Sequence, residues 1–235
     1  MRGRTTYGGL SAALALQAVI HSNPELPSLK SMHINFIALA SGALTFASRM
    51  LRSGKSVTSV ESDCLVGESA VLRSMMLFAQ ARESSIIHEH GSRPPVGGPL
   101  QYPVLAPHPK LSPACAFNFE MRPAGGSELI SGAENPELLV WVKHLDARDV
   151  HPAVALVALA DALPPAAITA FIKPAPISSV SWTVDFVRPA QPGEWFLMRS
   201  FSRQAADGYS LQDMEIWDEA GNLVIWGRQT VAVFA

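Results

Sequence analysis

Residues 7–22, YGGLSAALALQAVIHS, are apolar or small on almost every side of a helix. A helix that is apolar all round is buried all round. A second such run, HPAVALVALADAL (151–163), has His151-Pro152 as its start and Pro164-Pro165 as its stop. After the first helix the period shifts towards two. LKSMHINFIA (29–38), ALTFASRML (43–51), KSVTSVESDCLV (55–66) and AVLRSMMLFAQA (70–81) read as strands, with VGES (66–69) a turn. ACAFNFEMRP (114–123) and ELLVWVKHL (137–145) read as strands before the second helix. Four more follow it: SVSWTVDFV (179–187), EWFLMRSFS (194–202), GYSLQDMEIWD (208–218) and NLVIWGRQTVAVF (222–234). Asp218 to Asn222, with Gly221, is a hairpin turn.

The halves repeat. HINF (33–36) answers TVDF (183–186), SGALTF (41–46) answers GEWFL (193–197), and VGESAVL (66–72) answers EAGNLVI (219–225). The shared order is apolar helix then four strands, at a period of about 150 residues. An antiparallel sheet with one apolar face can wrap such a helix. The expected fold is therefore α+β, two antiparallel sheets each wrapped around a central apolar helix. The expected units are residues 1–82 and 113–235, joined by a Pro/Gly-rich linker, 83–112, that crosses the surface. The first half has only six residues before Tyr7, where the second has two strands before its helix. It is either short in itself or lacks its first strands here. The opening MRGR before an apolar run also has the form of a secretory leader. Gln17, close behind that run, and the comparable helix in the second half argue against a leader.

Of 235 residues, 48% are apolar and 16% charged, with a net charge of −2. So much apolar surface needs a sizeable core or an interface between copies, so a homo-oligomer, a dimer or higher, is expected. No basic stripe points to nucleic acid, and no run reaches the roughly 20 apolar residues that span a bilayer. Cys64 and Cys115 are too few for a disulfide framework and fit a reducing, cytoplasmic setting. His88 and His90, in HEHGS, lack a third ligand nearby.

YGGLSAALALQA, LVWVKHLDARDVHPAVALVALADALPPAA, TVDFVRPAQPGEWFL and DEAGNLVIWGRQ together resemble the TesB-like acyl-CoA thioesterases of the thioesterase II type. The resemblance covers most of the chain outside 83–112. It implies a double hotdog fold, hydrolysis of an acyl-CoA to free acid and CoA, and no metal or organic cofactor. It also implies a site between the units, near the start of a hotdog helix.

That chemistry needs an activated water, donors for the oxyanion and an apolar slot. Gly8 and Gly9, after Tyr7, stand at a helix amino terminus where N–H groups are unpaired. With Tyr7 they form the oxyanion and substrate-binding end of the helix, or else the glycines are a tight packing contact. By the resemblance, Gln229 holds the water; otherwise it is an ordinary cross-strand residue. The resemblance also asks for an aspartate on the strand after the second helix, where counting back from Arg188-Pro189 gives Ser181. Asp185, on the same strand, is either a displaced acid or a surface residue. The hydroxyl asked for on the next strand falls on Arg203, with Ser202 beside it. Asp161, near the carboxyl end of the second helix, opposes the helix dipole. It is either hydrogen-bonded for structure or raised in pKa for a task. Asp146, Arg148 and Asp149 are either a solvated run or, through Arg148, a contact for a CoA phosphate. With Ser181 in the acid's place, a protein that binds acyl-CoA without hydrolysing it is the alternative.

Overall fold

The computed structural model describes residues 5–110 and 112–235, so Arg2 and Arg4 of the leader reading lie outside the described residues. Helix α1 spans Gly8–Ser22 and α2 Pro152–Ala160. Ala12, Ala15, Leu16 and Val19 of α1 are fully buried, as are Val157, Leu159 and Ala160 of α2. Helix α2 stops short of the expected end at Leu163. Pro164 and Pro165 carry no N–H to bond back to Ala160 and Asp161, and a residue before proline is steered out of the helical region. No helix of the described residues is long and apolar enough to cross a membrane.

The strands are β1 Leu29–Phe36, β2 Thr45–Ser53, β3 Val57–Val66, β4 Ser69–Ala79, β5 Phe119–Gly126, β6 Glu137–His144, β7 Ile177–Phe186, β8 Phe196–Ala206, β9 Tyr209–Asp218 and β10 Leu223–Val233. The expected strand at 114–123 begins late, because Ala114–Asn118 forms a single 3-10 turn. Between β8 and β9 lie only Asp207 and Gly208, both at positive φ, the two-residue hairpin that matches strand twist.

The two expected sheets are in fact one. All ten strands join in the order β2-β3-β4-β1-β7-β10-β9-β8-β6-β5. The joint is β1 with β7, antiparallel, with Met32 opposite Val184, His33 opposite Thr183 and Ile34 opposite Trp182. His33 and Thr183 are also equivalents in the internal repeat, so a pseudo-twofold axis passes between them. Corresponding strands with free edges pair with each other, as two copies of one subunit would, and the edges disappear. The inner face presents Met32, Ile34, Trp182, Val184 and Ile225 to the helices, and all are fully buried.

The Pro/Gly-rich segment is packed. It crosses the outer face over a second apolar cluster that includes Leu139, Trp141, Trp195, Leu197 and Trp217. The indoles of Trp141 and Trp217 donate to the carbonyls of Gly97 (3.0 Å) and Gly91 (3.3 Å). The Arg93 guanidinium lies 5.7 Å from the Trp141 ring centroid, and Arg188 pairs with Glu89 at 2.6 Å. Trp141→Ala should therefore cost about 3–5 kcal/mol of stability in urea unfolding. Trp141→Phe, which keeps most of the ring but orphans the Gly97 carbonyl, should cost about 1–2 kcal/mol.

Candidate active site

Because the repeat is two-fold, α1 and α2 lie side by side with the amino end of one against the carboxyl end of the other. Asp161, the residue that ends α2, turns its carboxylate onto the first turn of α1. Gly9 N–H donates to Asp161 Oδ2 at 2.7 Å. The Tyr7 hydroxyl donates to the carbonyl of Ala158, in the last turn of α2, at 3.2 Å. The dipole of α2 opposes an anion here, and the amide of α1 offsets it.

The glycines are a packing requirement. A Cβ on Gly9 would lie 2.8 Å from the Ala158 carbonyl oxygen and 2.8 Å from Asp161 Cβ; one on Gly8 would lie 2.8 Å from Asp161 Oδ2. The Gly9 amide, expected to be free for an oxyanion, is taken by Asp161. Gly8 N–H has no acceptor among the described residues.

Gln229 reaches the same carboxylate from β10. Its Nε2 donates to Asp161 Oδ1 at 2.9 Å. Its Oε1 accepts from Gln212 Nε2 at 3.0 Å and lies 3.5 Å from Ser179 Oγ. Gln229 and Gln212 are both 2% exposed. Gln212 Oε1 in turn accepts the Ala166 N–H at 2.8 Å.

The expected strand residues lie elsewhere. Ser181 and Asp185 are on the outer face, alternating with the inward Trp182, Val184 and Phe186. Their outward direction is plain alternation, and a bulge further up the strand decides which residue comes inward. Thr230 of β10 pairs with Ser181 but Val231 pairs with Ser179, so Val180 is an extra residue. The insertion exchanges faces, and Ser179 comes inward where strict alternation would bring Val180. Ser202 is buried, but its Oγ bonds Ser210 Oγ at 2.8 Å, two strands away from β10. Arg203, the next residue, alternates outward to Asp213, at 2.6 Å. Arg148 pairs with Asp146 at the surface (3.1 Å), away from this junction. The rings of His88 and His90 lie 5.6 Å apart on the crossing segment, and the described residues gather no group of three or more possible metal ligands.

A cavity of about 400 Å³ opens at the junction. Gly8, Asp161 and Ser179 line it, with Phe36, Leu39 and Ile177 among its apolar walls. Gln229 stands behind, off the lining. Surrounded by protein except where it meets the cavity, the Asp161 carboxyl is desolvated and pushed up to about 6, although the bonds from Gln229 and Gly9 pull it down. Its titratable neighbours Tyr7 and Cys115 are pushed up as well, by burial first and then by the Asp161 charge, so both stay neutral.

The pseudo-twofold axis generates a second junction, where α2 begins and α1 ends, over a cavity of about 340 Å³ lined by Asn23 and His151. Asn23 caps α1 as Asp161 caps α2. Met76 stands opposite Met32 as Gln229 stands opposite Trp182, and Leu29 holds the place of Ser179. Among the described residues the lining of this cavity holds no acid, and its side-chain amides are those of Asn23 and Gln191.

Two of the gathered side chains escape a sequence reading. Ser179 is hidden by the bulge. Gln212 carries a weak signal, since it falls in phase with Ser210, Met214 and Ile216, all of them buried.

Two outcomes test this geometry. Gly9→Ala should drive the helix ends apart and lower both stability and any activity of the site, while Gly67→Ala, in a turn at φ 60°, should leave activity unchanged. For Asp161, a carboxyl held at about 6 in the fold against 3.8 unfolded lowers stability as pH rises between those values. Asp161→Asn should therefore match the parent near pH 4 and exceed it by about 2–3 kcal/mol at pH 8 in denaturant titrations.

The comparisons agree with this architecture. The family model "Acyl-CoA thioesterase C-terminal domain" matches residues 94–233, and "Acyl-CoA thioesterase N-terminal domain" matches residues 1–79. A conserved protein of unknown function with a hotdog fold from Alicyclobacillus acidocaldarius superposes with a TM-score of 0.86 at 24% identity, over 98% of this chain and 88% of its own. The tesB protein of Mycobacterium avium subsp. paratuberculosis does so with a TM-score of 0.81 at 17% identity, over 98% and 88%. The acyl-CoA thioesterase II TesB2 of Mycobacterium marinum gives 0.77 at 19% identity, over 96% and 88%. No protein of curated function matches the chain. A carboxylate clamped between two helix ends, inside a sheet shared by two hotdog repeats, thus accompanies family models that together span nearly the whole length: the chain belongs to the acyl-CoA thioesterase family.

Proposed function

We propose that the chain hydrolyses an acyl-CoA thioester with a water activated by Asp161. The observation that carries this reading is a desolvated carboxylate that opens on a partly apolar cavity beside the amino terminus of α1. Asp161 is the general base, Ser179 the second contact for the water, and Gln229 holds Asp161 in place through its Nε2. The water oxygen bonds to the thioester carbon while its proton passes to Asp161. The carbonyl oxygen, now negative, is met by the N–H of Gly8 at the positive end of α1. The intermediate collapses by breaking the carbon–sulfur bond, and the CoA thiolate takes the proton back from Asp161. The products are the free acid and CoA.

Binding without hydrolysis is the second reading. It rests on Ser181 in the acid's position; Asp161 beside Gln229 supports hydrolysis instead. Acyl-CoAs with short, medium, long and aromatic acyl groups, assayed with a thiol reagent, test the proposal. CoA release should fall below pH about 6 as Asp161 takes up its proton. Asp161→Asn should lower kcat by about 10²–10⁴-fold. A panel that binds and releases no CoA would sink the hydrolase reading.

A further inference from the structure

The buried polar contacts behind the cavity run in one direction. A backbone N–H can only donate, so the Ala166 N–H fixes Gln212 Oε1 as an acceptor, at 2.8 Å. Gln212 must then present its Nε2 to β10, where it donates to Gln229 Oε1 at 3.0 Å. Gln229 is left with only its own Nε2 facing Asp161, at 2.9 Å. At the far side the Gly9 N–H donates to the other carboxylate oxygen at 2.7 Å. Two backbone donors thus hold the ends of a three-side-chain relay, and no amide in it can flip without facing like against like. Gln212 and Gln229 are almost wholly buried, so water cannot substitute for a lost partner at low cost.

We propose that Gln212 is a positioning residue: it sets the orientation of the Gln229 amide and through it keeps Asp161 an acceptor aimed into the cavity. The inference rests on the hydrolase reading for its kinetic consequence but not for its structural one. Ala166 opens the turn Ala166–Ala170 after Asp161 and Pro164-Pro165, so the relay also ties β9 to the segment that leaves the catalytic carboxylate. The charged and titratable groups facing Asp161 from the packed elements are Tyr7 and Cys115, both neutral, which leaves the relay and Gly9 as the polar influences on it.

The test uses the full chain with Gln212→Met and Gln212→Glu, each alone and combined with Gln229→Met. It reads kcat and KM for the best acyl-CoA substrate and the titration midpoint of the Asp161 carboxyl carbon by 13C NMR. Gln212→Met should lower kcat about 10-fold with KM within about twofold, and should move the Asp161 midpoint upward. Gln212→Glu still accepts from Ala166 but accepts from Gln229 as well. It turns the Gln229 carbonyl toward Asp161 and should raise the midpoint by about one pH unit or more. In the Gln229→Met background neither change should add anything. Unchanged kcat and midpoint in both variants would overturn the proposal, and so would equal losses with and without Gln229. Gln212→Glu keeps nearly the parent volume and the Ala166 bond, so it decides the question if Gln212→Met fails to fold. A parent that hydrolyses no acyl-CoA removes the hydrolase reading alone, because the NMR midpoint still reads the relay.

Discussion

Everything at the site depends on the backbone pairing of β1 with β7. Antiparallel pairing of equivalent strands makes one sheet from two repeats. It also fixes how the helices carried by those repeats meet. Each must run against the other, so an amino terminus is brought to a carboxyl terminus. The junction of Gly9 with Asp161 is that meeting point, and it spans 152 positions of sequence. The small side chains of the first turn let the two helix ends approach within contact of each other's backbone.

The same closeness sets the electrostatics. An aspartate at the end of α2 lies in the wrong half of one helix dipole and the right half of another. Burial then weakens the charged form, and two donors only partly restore it. The balance leaves a carboxylate that is ionised at neutral pH yet remains basic enough to accept a proton, as a general base requires. Stability is lost in keeping it so, and the core formed by Trp182, Val184 and Ile225 supplies the surplus.

How far this was legible in the sequence differs by level. The apolar helices, the alternating strands, the repeat and most turns follow from periodicity and proline placement. The single sheet does not, since a repeat in sequence does not say whether its copies pair edge to edge. At the site, Gln229 and Asp161 stand out as polar residues where apolar ones are expected. Their partnership does not, since they lie 68 positions apart and meet only through the fold. Counting back from Arg188-Pro189 picks Ser181, with Asp185 on the same face; alternation turns both outward, and one inserted residue, Val180, brings Ser179 inward instead. Bulges leave no residue signature in a serine-rich stretch such as Ser178-Ser179-Val180-Ser181, so register there is set by the neighbouring strands.

The junction of Asn23 with His151 gives the duplication a further meaning. Two repeats related by an axis carry two equivalent helix junctions, and among the described residues only one of the two cavities there is lined by an acid. That junction draws its glycines from the first repeat and its acid, serine and glutamine from the second. Division of labour follows: neither repeat holds a complete set, so the first has become a donor of a helix end and the second a donor of side chains. The axis survives in the backbone, while the side chains at the two junctions have parted: a carboxylate backed by a glutamine at one, Asn23 and His151 at the other.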